Sequence, residues 1–226
     1  MYHINLLTVC TEKFPTLYAR KLIKRFGQIT NLNFTPYCLT DRPREIEDVA
    51  QSLDRAVDAK GWWNKVLLFN PELPEGWNLY LDLDIVLLDN FDREILYAID
   101  ENHQMACVSD AIAWMGEKFN SSLMIFRTGE LDYIYRNFIN SGESLFDRPG
   151  GDQVWVGPQL YDILYIDEKY PDLKKNLKCH IGTMDGDRLS IPFEIDKQIK
   201  MIDCSGDPKP HQLEKVPYIK KNWHDI

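Results

Sequence analysis

Asp82 and Asp84 stand two residues apart in Leu79-Tyr80-Leu81-Asp82-Leu83-Asp84-Ile85-Val86-Leu87-Leu88, a run that is otherwise apolar and strand-like. A strand buried on both faces reads as continuous Val, Ile and Leu, because a carboxylate removed from water carries a desolvation penalty unless something pairs it. On extended backbone, acids at this spacing project from one face, where they repel unless a cation lies between them. Hard divalent ions such as Mn2+ and Mg2+ take carboxylate oxygens and commonly share their sites with substrate phosphates. The competing reading makes these acids turn caps or ion-pair partners at a sheet end, and an Asp-x-Asp triplet alone is a weak signal. The apolar frame tips the choice toward a metal.

A second group lies near the end of the chain, in Gly206-Asp207-Pro208-Lys209-Pro210-His211. A glycine lets an anion approach the backbone, and a lysine flanked by prolines offers an aimed point charge for a diphosphate. A rigid surface turn would read the same way. Asp203 just before it could supply a third metal oxygen or merely start a turn. Asn120, in Phe119-Asn120-Ser121-Ser122, could bond a sugar hydroxyl or open a strand, and Asp152-Gln153 after Gly150-Gly151 could equally cap a helix. Trp62, Trp63, Trp77, Trp114 and Trp155 read mostly as core, with one or two free to stack on a sugar or base near a cleft. The chain contains no HExxH, no G-x-S-x-G elbow, no Walker A and no G-x-G-x-x-G, which disfavours zinc hydrolases, serine hydrolases, P-loop enzymes and standard dinucleotide binders.

The elements that must carry these residues alternate. Residues 4–10 read as a buried strand. A helix follows, capped by Thr11, with Pro15 in its first turn and Gly27 as its stop. Strands are predicted over 34–39, 79–88, 104–108, 122–126, 163–166 and 199–202, and helices over 62–69, 92–99, 130–138 and 152–156. The polar stretch after residue 166 reads as surface loops. Such alternation predicts an α/β fold with a mostly parallel sheet and helices on both faces, as one domain over 1–226. Ligands of such sheets sit beyond the carboxyl ends of the strands, where Thr8 to Lys13, Thr40 to Arg42, Asp82/Asp84 and Asp203 to Lys209 all fall.

Lys and Arg total 26 against 35 Asp and Glu, a formal charge of -9 that argues against nucleic acid as partner. The five cysteines are scattered, so they read as reduced thiols in the cytoplasm rather than a disulfide set or zinc site. The first ten residues do not read as a signal peptide, and no apolar run approaches membrane-spanning length, so no integral membrane segment is expected.

In their order these blocks resemble nucleotide-sugar glycosyltransferases of the GT-A fold, a Rossmann-type sandwich, and most of all the group holding glycogenin and the lipopolysaccharide galactosyltransferases. The likeness runs from the first strand through Gly61-Trp62-Trp63-Asn64-Lys65, Asp82-Leu83-Asp84, Phe119-Asn120-Ser121-Ser122 and Asp152-Gln153 to Gly206 and Lys209. It implies a metal-dependent hexosyl transfer from a UDP-sugar to a glycan or other hydroxyl acceptor, with retention of configuration. It implies Mn2+ or Mg2+ on Asp82, Asp84 and Asp203, with Asp82 also reaching the donor ribose or sugar. Gly206, Lys209 and Lys65 would hold the diphosphate, Thr8, Val9 and Asp41 would line the nucleoside site, and Asp110, Asn120, Asp152 and Gln153 would face the donor sugar and reacting centre. One departure stands out: the group has a metal-binding histidine where this chain has Asp203. Two other readings stay open, a nucleotidyltransferase that makes nucleotide sugars and a non-catalytic nucleotide-sugar binding module.

Overall fold

A computed structural model describes residues 2–12, 14–55, 57–185 and 188–226, with the side chains of Trp114 and Arg188 outside that description. Lys13 of the first strand-end cluster and the Trp114 indole therefore lie outside the described residues.

The chain opens with β1 (His3–Cys10), helix α1 (Thr16–Ile29), β2 (Asn33–Thr40) and β3 (Gln51–Leu53). A 3-10 helix at Gly61–Phe69 leads to β4 (Trp77–Leu81) and β5 (Ile85–Leu87). There follow α2 (Asp92–Glu101), β6 (Met105–Ser109), β7 (Phe119–Arg127), α3 (Asp132–Ser141), α4 (Gly151–Val156) and β8 (Ile163–Tyr165). The last strands are β9 (Lys174–Asn176), β10 (Thr183–Asp185), β11 (Arg188–Ser190) and β12 (Met201–Asp203). Seven strands form the main sheet in the order β3-β2-β1-β4-β7-β6-β8, in which only β7 runs against the rest. A smaller sheet, β5-β12-β9, lies beside it, and β10 pairs with β11 as a hairpin.

Both faces of the main sheet are covered, which is why its strands read as apolar runs. Alternation along β1 sends Ile4 and Leu6 to the layer holding Leu22 and Phe26 of α1 and Ile95 of α2. It sends Leu7 to the opposite layer, with Trp63, Val66, Ile134 and Phe138. Trp63 stacks on Phe138 with ring centroids 6.0 Å apart and meets Trp155 edge-on, so the segment that carries Lys65 is anchored by aromatic packing.

The α/β architecture, mostly parallel sheet and two helical faces match the sequence reading; several local expectations do not. The acid run is not one strand: β4 stops at Leu81, residues 82–84 turn with the Ile85 amide donating to the Asp82 carbonyl at 3.2 Å, and β5 joins the other sheet. Helix α1 starts at Thr16 behind Pro15 rather than at a Thr11 cap, and it passes through Gly27 to end at Ile29, because Gly27 fits against the Phe34 ring without a turn conformation. The polar stretch after residue 166 is not all loop. It holds β9, a π-helical turn at Leu177–Ile181 and the β10–β11 hairpin, since pairing with β12 satisfies the polar β9 backbone. All five cysteines are free thiols, and among the described residues no helix is long and apolar enough to cross a membrane.

Replacing Trp63 with alanine removes the anchor of the Lys65 segment and should cost about 3–5 kcal/mol of stability. Urea unfolding should show this as a lower midpoint with an unchanged slope.

Candidate functional site

A cavity of about 440 Å3 opens at the carboxyl ends of β1 and β4. The antiparallel β7 brings its beginning to the same place: Leu123 pairs with Leu81, and the Asp82 amide donates to the Ser122 carbonyl at 2.9 Å. Asn120, Ser121 and Ser122 therefore stand beside the acid turn. From the smaller sheet, the Cys204 amide bonds the Asp84 carbonyl at 3.1 Å, which fixes Asp203 and the following loop against the same turn.

Of the residues singled out from sequence, Val9, Lys65, Asp82, Asp84, Asp110, Asn120, Asp152, Gln153, Asp203, Gly206 and Lys209 all line this cavity. Thr8 and Asp41 do not. Val9 faces the cavity, so its strand neighbour Thr8 must face away, fully buried with its hydroxyl toward the Tyr37 carbonyl at 3.5 Å. Asp41 pairs instead with Arg42 at 3.1 Å. Trp62 is half exposed on the cavity wall, whereas Trp63 is core.

Each acid of the expected metal set holds a lysine. Lys65 Nζ lies 2.9 and 3.0 Å from the two oxygens of Asp82, which also accepts from the Tyr80 hydroxyl at 2.5 Å. Lys209 Nζ donates to Asp84 Oδ2 at 2.5 Å. Lys174, a residue the sequence reading passed over, donates to Asp203 Oδ2 at 3.0 Å from a buried position. Among the described residues, no three His, Cys, Asp or Glu side chains converge closely enough to hold one ion. Asp82, Asp84 and Asp203 nevertheless line one cavity, each paired with its own lysine.

The electrostatics differ across the trio. Burial pushes the Asp84 carboxyl up, and the neighbouring charges of Asp82 and Asp203 add to this against the pull of Lys209. Burial also pushes Asp203 up, but the Lys174 charge and hydrogen bond outweigh it and hold its carboxyl below the usual value. Asp152 is raised by burial in spite of Lys65, whose ammonium is 3.9 Å away. Burial depresses Lys65, yet Asp152 and Asp82 together leave it raised.

The loop after β12, packed against the acid turn, suits an anion. Gly206, which lines the cavity with Lys209, has φ 75°, and a Cβ there would come within 2.8 Å of Lys178 Nζ. The Lys209 backbone is held by its amide bond to Gln212 Oε1 at 2.6 Å. Lys178, like Lys174, lies in a stretch whose lysines resemble a solvated face. At the far end, Asp110 Oδ2 accepts from Gln153 Nε2 at 2.6 Å and from Asn120 Nδ2 at 3.1 Å. Asn120 Oδ1 in turn accepts from Lys174 at 3.0 Å and from the Ser122 hydroxyl. Gly151, at φ 64°, lets helix α4 begin directly under the Trp62 indole, where a Cβ would lie 2.4 Å from Nε1.

No protein-family model and no curated protein sequence matches the chain. Solved structures do. The glycosyltransferase GlyE of Streptococcus pneumoniae TIGR4 superposes with a TM-score of 0.66 at 12% identity over 98% of this chain, which spans 61% of that structure. The galactosyltransferase LgtC, in complex with donor and acceptor sugar analogs, gives 0.65 at 11% identity over 98% of this chain and 96% of its own. Mouse xyloside xylosyltransferase 1 gives 0.54 at 12% identity over 91% and 98%. The chain has the GT-A fold of these glycosyltransferases.

The raised Asp152 carboxyl has a measurable consequence. A carboxyl whose folded pKa exceeds its unfolded value contributes stability that is present at low pH and lost as pH rises through the folded value. Asp152→Asn does not titrate. Its stability relative to wild type should therefore increase from about pH 4, the ordinary aspartate range, toward about pH 7, as read from melting temperatures of both proteins.

Proposed function

We propose that this chain is a glycosyltransferase that moves a sugar from a nucleoside diphosphate, UDP by choice, onto a hydroxyl of a glycan or related acceptor. The whole of residues 1–226 serves as its GT-A domain. One observation carries the reading: a turn bearing Asp82 and Asp84, with the Gly206 and Lys209 loop packed against it, lines a single cavity together with Asp110, Asn120, Asp152 and Gln153. That is an arrangement for a cation, a diphosphate and a polyol. The LgtC structure was solved with donor and acceptor sugar analogs, which supports the same use of the fold here.

Charge balance argues for a divalent ion. Five aspartates line the cavity against two lysines, Lys65 and Lys209, so a dianionic diphosphate entering alone meets a site that is already negative. Asp82 and Asp84 would hold Mn2+ or Mg2+, ions that settle for one or two carboxylates and take the remaining oxygens from substrate phosphates. When bound, the ion acts as a Lewis acid toward charge on the departing diphosphate.

The chain's own groups do the rest. Lys209 meets the negative charge that grows on the diphosphate as the bond from the anomeric carbon to its oxygen breaks. The acceptor oxygen forms the new bond to that carbon and gives up its proton. Asp110 has its oxygens engaged by Gln153, Asn120 and the Ile112 amide, and Asp152 is engaged by Lys65 and Ser121. Neither carboxylate is reserved for the acceptor hydroxyl, which supports transfer with retention, the departing phosphate oxygen taking the proton. Gln153, pinned at 2.6 Å by Asp110, orients the sugar.

A thermal-shift panel of nucleotide sugars with and without Mn2+ tests this. A donor at about 100 times its dissociation constant should add roughly 2.7 kcal/mol to stability when metal is present. Lys209→Ala should weaken that donor on the order of 10-fold, given the charge-assisted contact it removes. If no nucleotide sugar stabilises the folded protein with either ion, the proposal fails.

A further inference from the structure

We infer that Asp203 is not a metal ligand but the anion of a buried ion pair, and that the divalent ion is left with Asp82 and Asp84 until the donor diphosphate arrives. The inference rests on the proposed transferase reading and names how its cation site is completed. An ammonium group has three donors and no acceptor. Lys174 spends all three inside the fold: Ser122 Oγ at 2.7 Å, Asn120 Oδ1 at 3.0 Å and Asp203 Oδ2 at 3.0 Å. The Lys174 side chain is 6% exposed and that of Asp203 5%. The other Asp203 oxygen, Oδ1, accepts the Ser205 amide at 2.8 Å. Pulling Asp203 toward a metal would strip a buried ammonium of its counter-charge, which is strongly unfavourable.

Asp82 and Asp84 are held differently. Each pairs with a lysine that lines the open cavity, Lys65 at 2.9 Å and Lys209 at 2.5 Å, and those side chains are 15% and 18% exposed. Lys209 sits on the loop that faces the diphosphate, so an arriving phosphate competes with Asp84 for its ammonium. The same event that delivers phosphate oxygens to the cation frees Asp84 to bind it. Metal and nucleotide should therefore bind together, each raising the affinity of the other. Lys174 meanwhile acts as a positioning residue, fixing Asn120, and through it Asp110 and Gln153, to β12.

Mn2+ titrations followed by electron paramagnetic resonance of the free ion, with and without UDP, separate the possibilities. Wild type should bind Mn2+ at least about 10-fold more tightly with UDP than without, since phosphate completes the oxygen shell. With UDP present, Asp84→Asn should lose Mn2+ affinity by on the order of 10- to 100-fold, as removal of a ligand or its direct support does. Asp203→Asn should change it by much less than Asp84→Asn does, in line with a group that does not touch the ion. Because Asp203→Asn strands the Lys174 charge, the double variant Lys174→Met with Asp203→Leu removes both partners at once, which is close to neutral for folding in comparable pairs. It too should keep Mn2+ affinity. If Asp203→Asn or the double variant, shown folded by circular dichroism, falls with Asp84→Asn, or if UDP leaves wild-type Mn2+ affinity unchanged, the inference is overturned while the transferase reading stands. If wild type binds no Mn2+ even with UDP, both fall.

Discussion

Carboxylates drawn out of water at the junction of two sheets set the terms for the rest of this structure. β4 delivers Asp82 to the edge of the main sheet and β5 carries Asp84 into the smaller one, so the turn between them is walled by apolar strands on either side. An unpaired carboxylate there would be costly. The fold answers with lysines from three separate segments, Lys65 from the helix at Gly61–Phe69, Lys174 from β9 and Lys209 from the loop after β12. Each sits at a point that only the assembled topology brings to the turn.

That topology has a physical economy. One antiparallel strand, β7, lets the polar start Asn120-Ser121-Ser122 stand at the carboxyl end of β4, where a seventh parallel strand would have placed its other end. The small sheet then brings β12 and its following loop alongside. A chain of contacts from Gln153 through Asp110, Asn120 and Lys174 to Asp203 ties helix α4 to β12 across the cavity floor. Asn120, Asp110 and Gln153 are thus set by a network with little freedom, whereas Lys65 and Lys209 line the cavity itself.

How much of this the sequence discloses follows from what makes a residue anomalous. Asp82 and Asp84 are legible because acids interrupt a run that otherwise obeys the pattern of a buried strand. Gly206 and Lys209 are legible because glycine and proline flank a lone cation. Lys174 and Lys178 are not, since lysines in a polar stretch look like any solvated face; the Asp203 partner lies 29 residues away and only pairing of β9 with β12 brings the two together. Thr8 was expected in the nucleoside wall through resemblance, yet strand alternation turns it away once Val9 faces the cavity. The break of the acid run into two strands had no local mark, because Leu83 is as apolar as its neighbours and the turn follows from sheet assignment, a long-range choice. The fold class and the alternating elements were readable from periodicity; the pairing that completes the site was not.

The central claim is that the cavity takes a nucleotide sugar with a divalent ion and cleaves it at the anomeric carbon. The most direct measurement is chromatography of the nucleotide released when the protein is incubated with a panel of nucleotide sugars and Mn2+ or Mg2+, with water and then a mixed set of glycans as acceptors. The account predicts nucleoside diphosphate from at least one donor, faster with a glycan acceptor than with water, dependent on the ion and absent in Asp84→Ala. No nucleoside diphosphate from any donor with either ion would contradict it, and pyrophosphate released from a nucleoside triphosphate and a sugar phosphate would assign the site to nucleotidyl transfer instead.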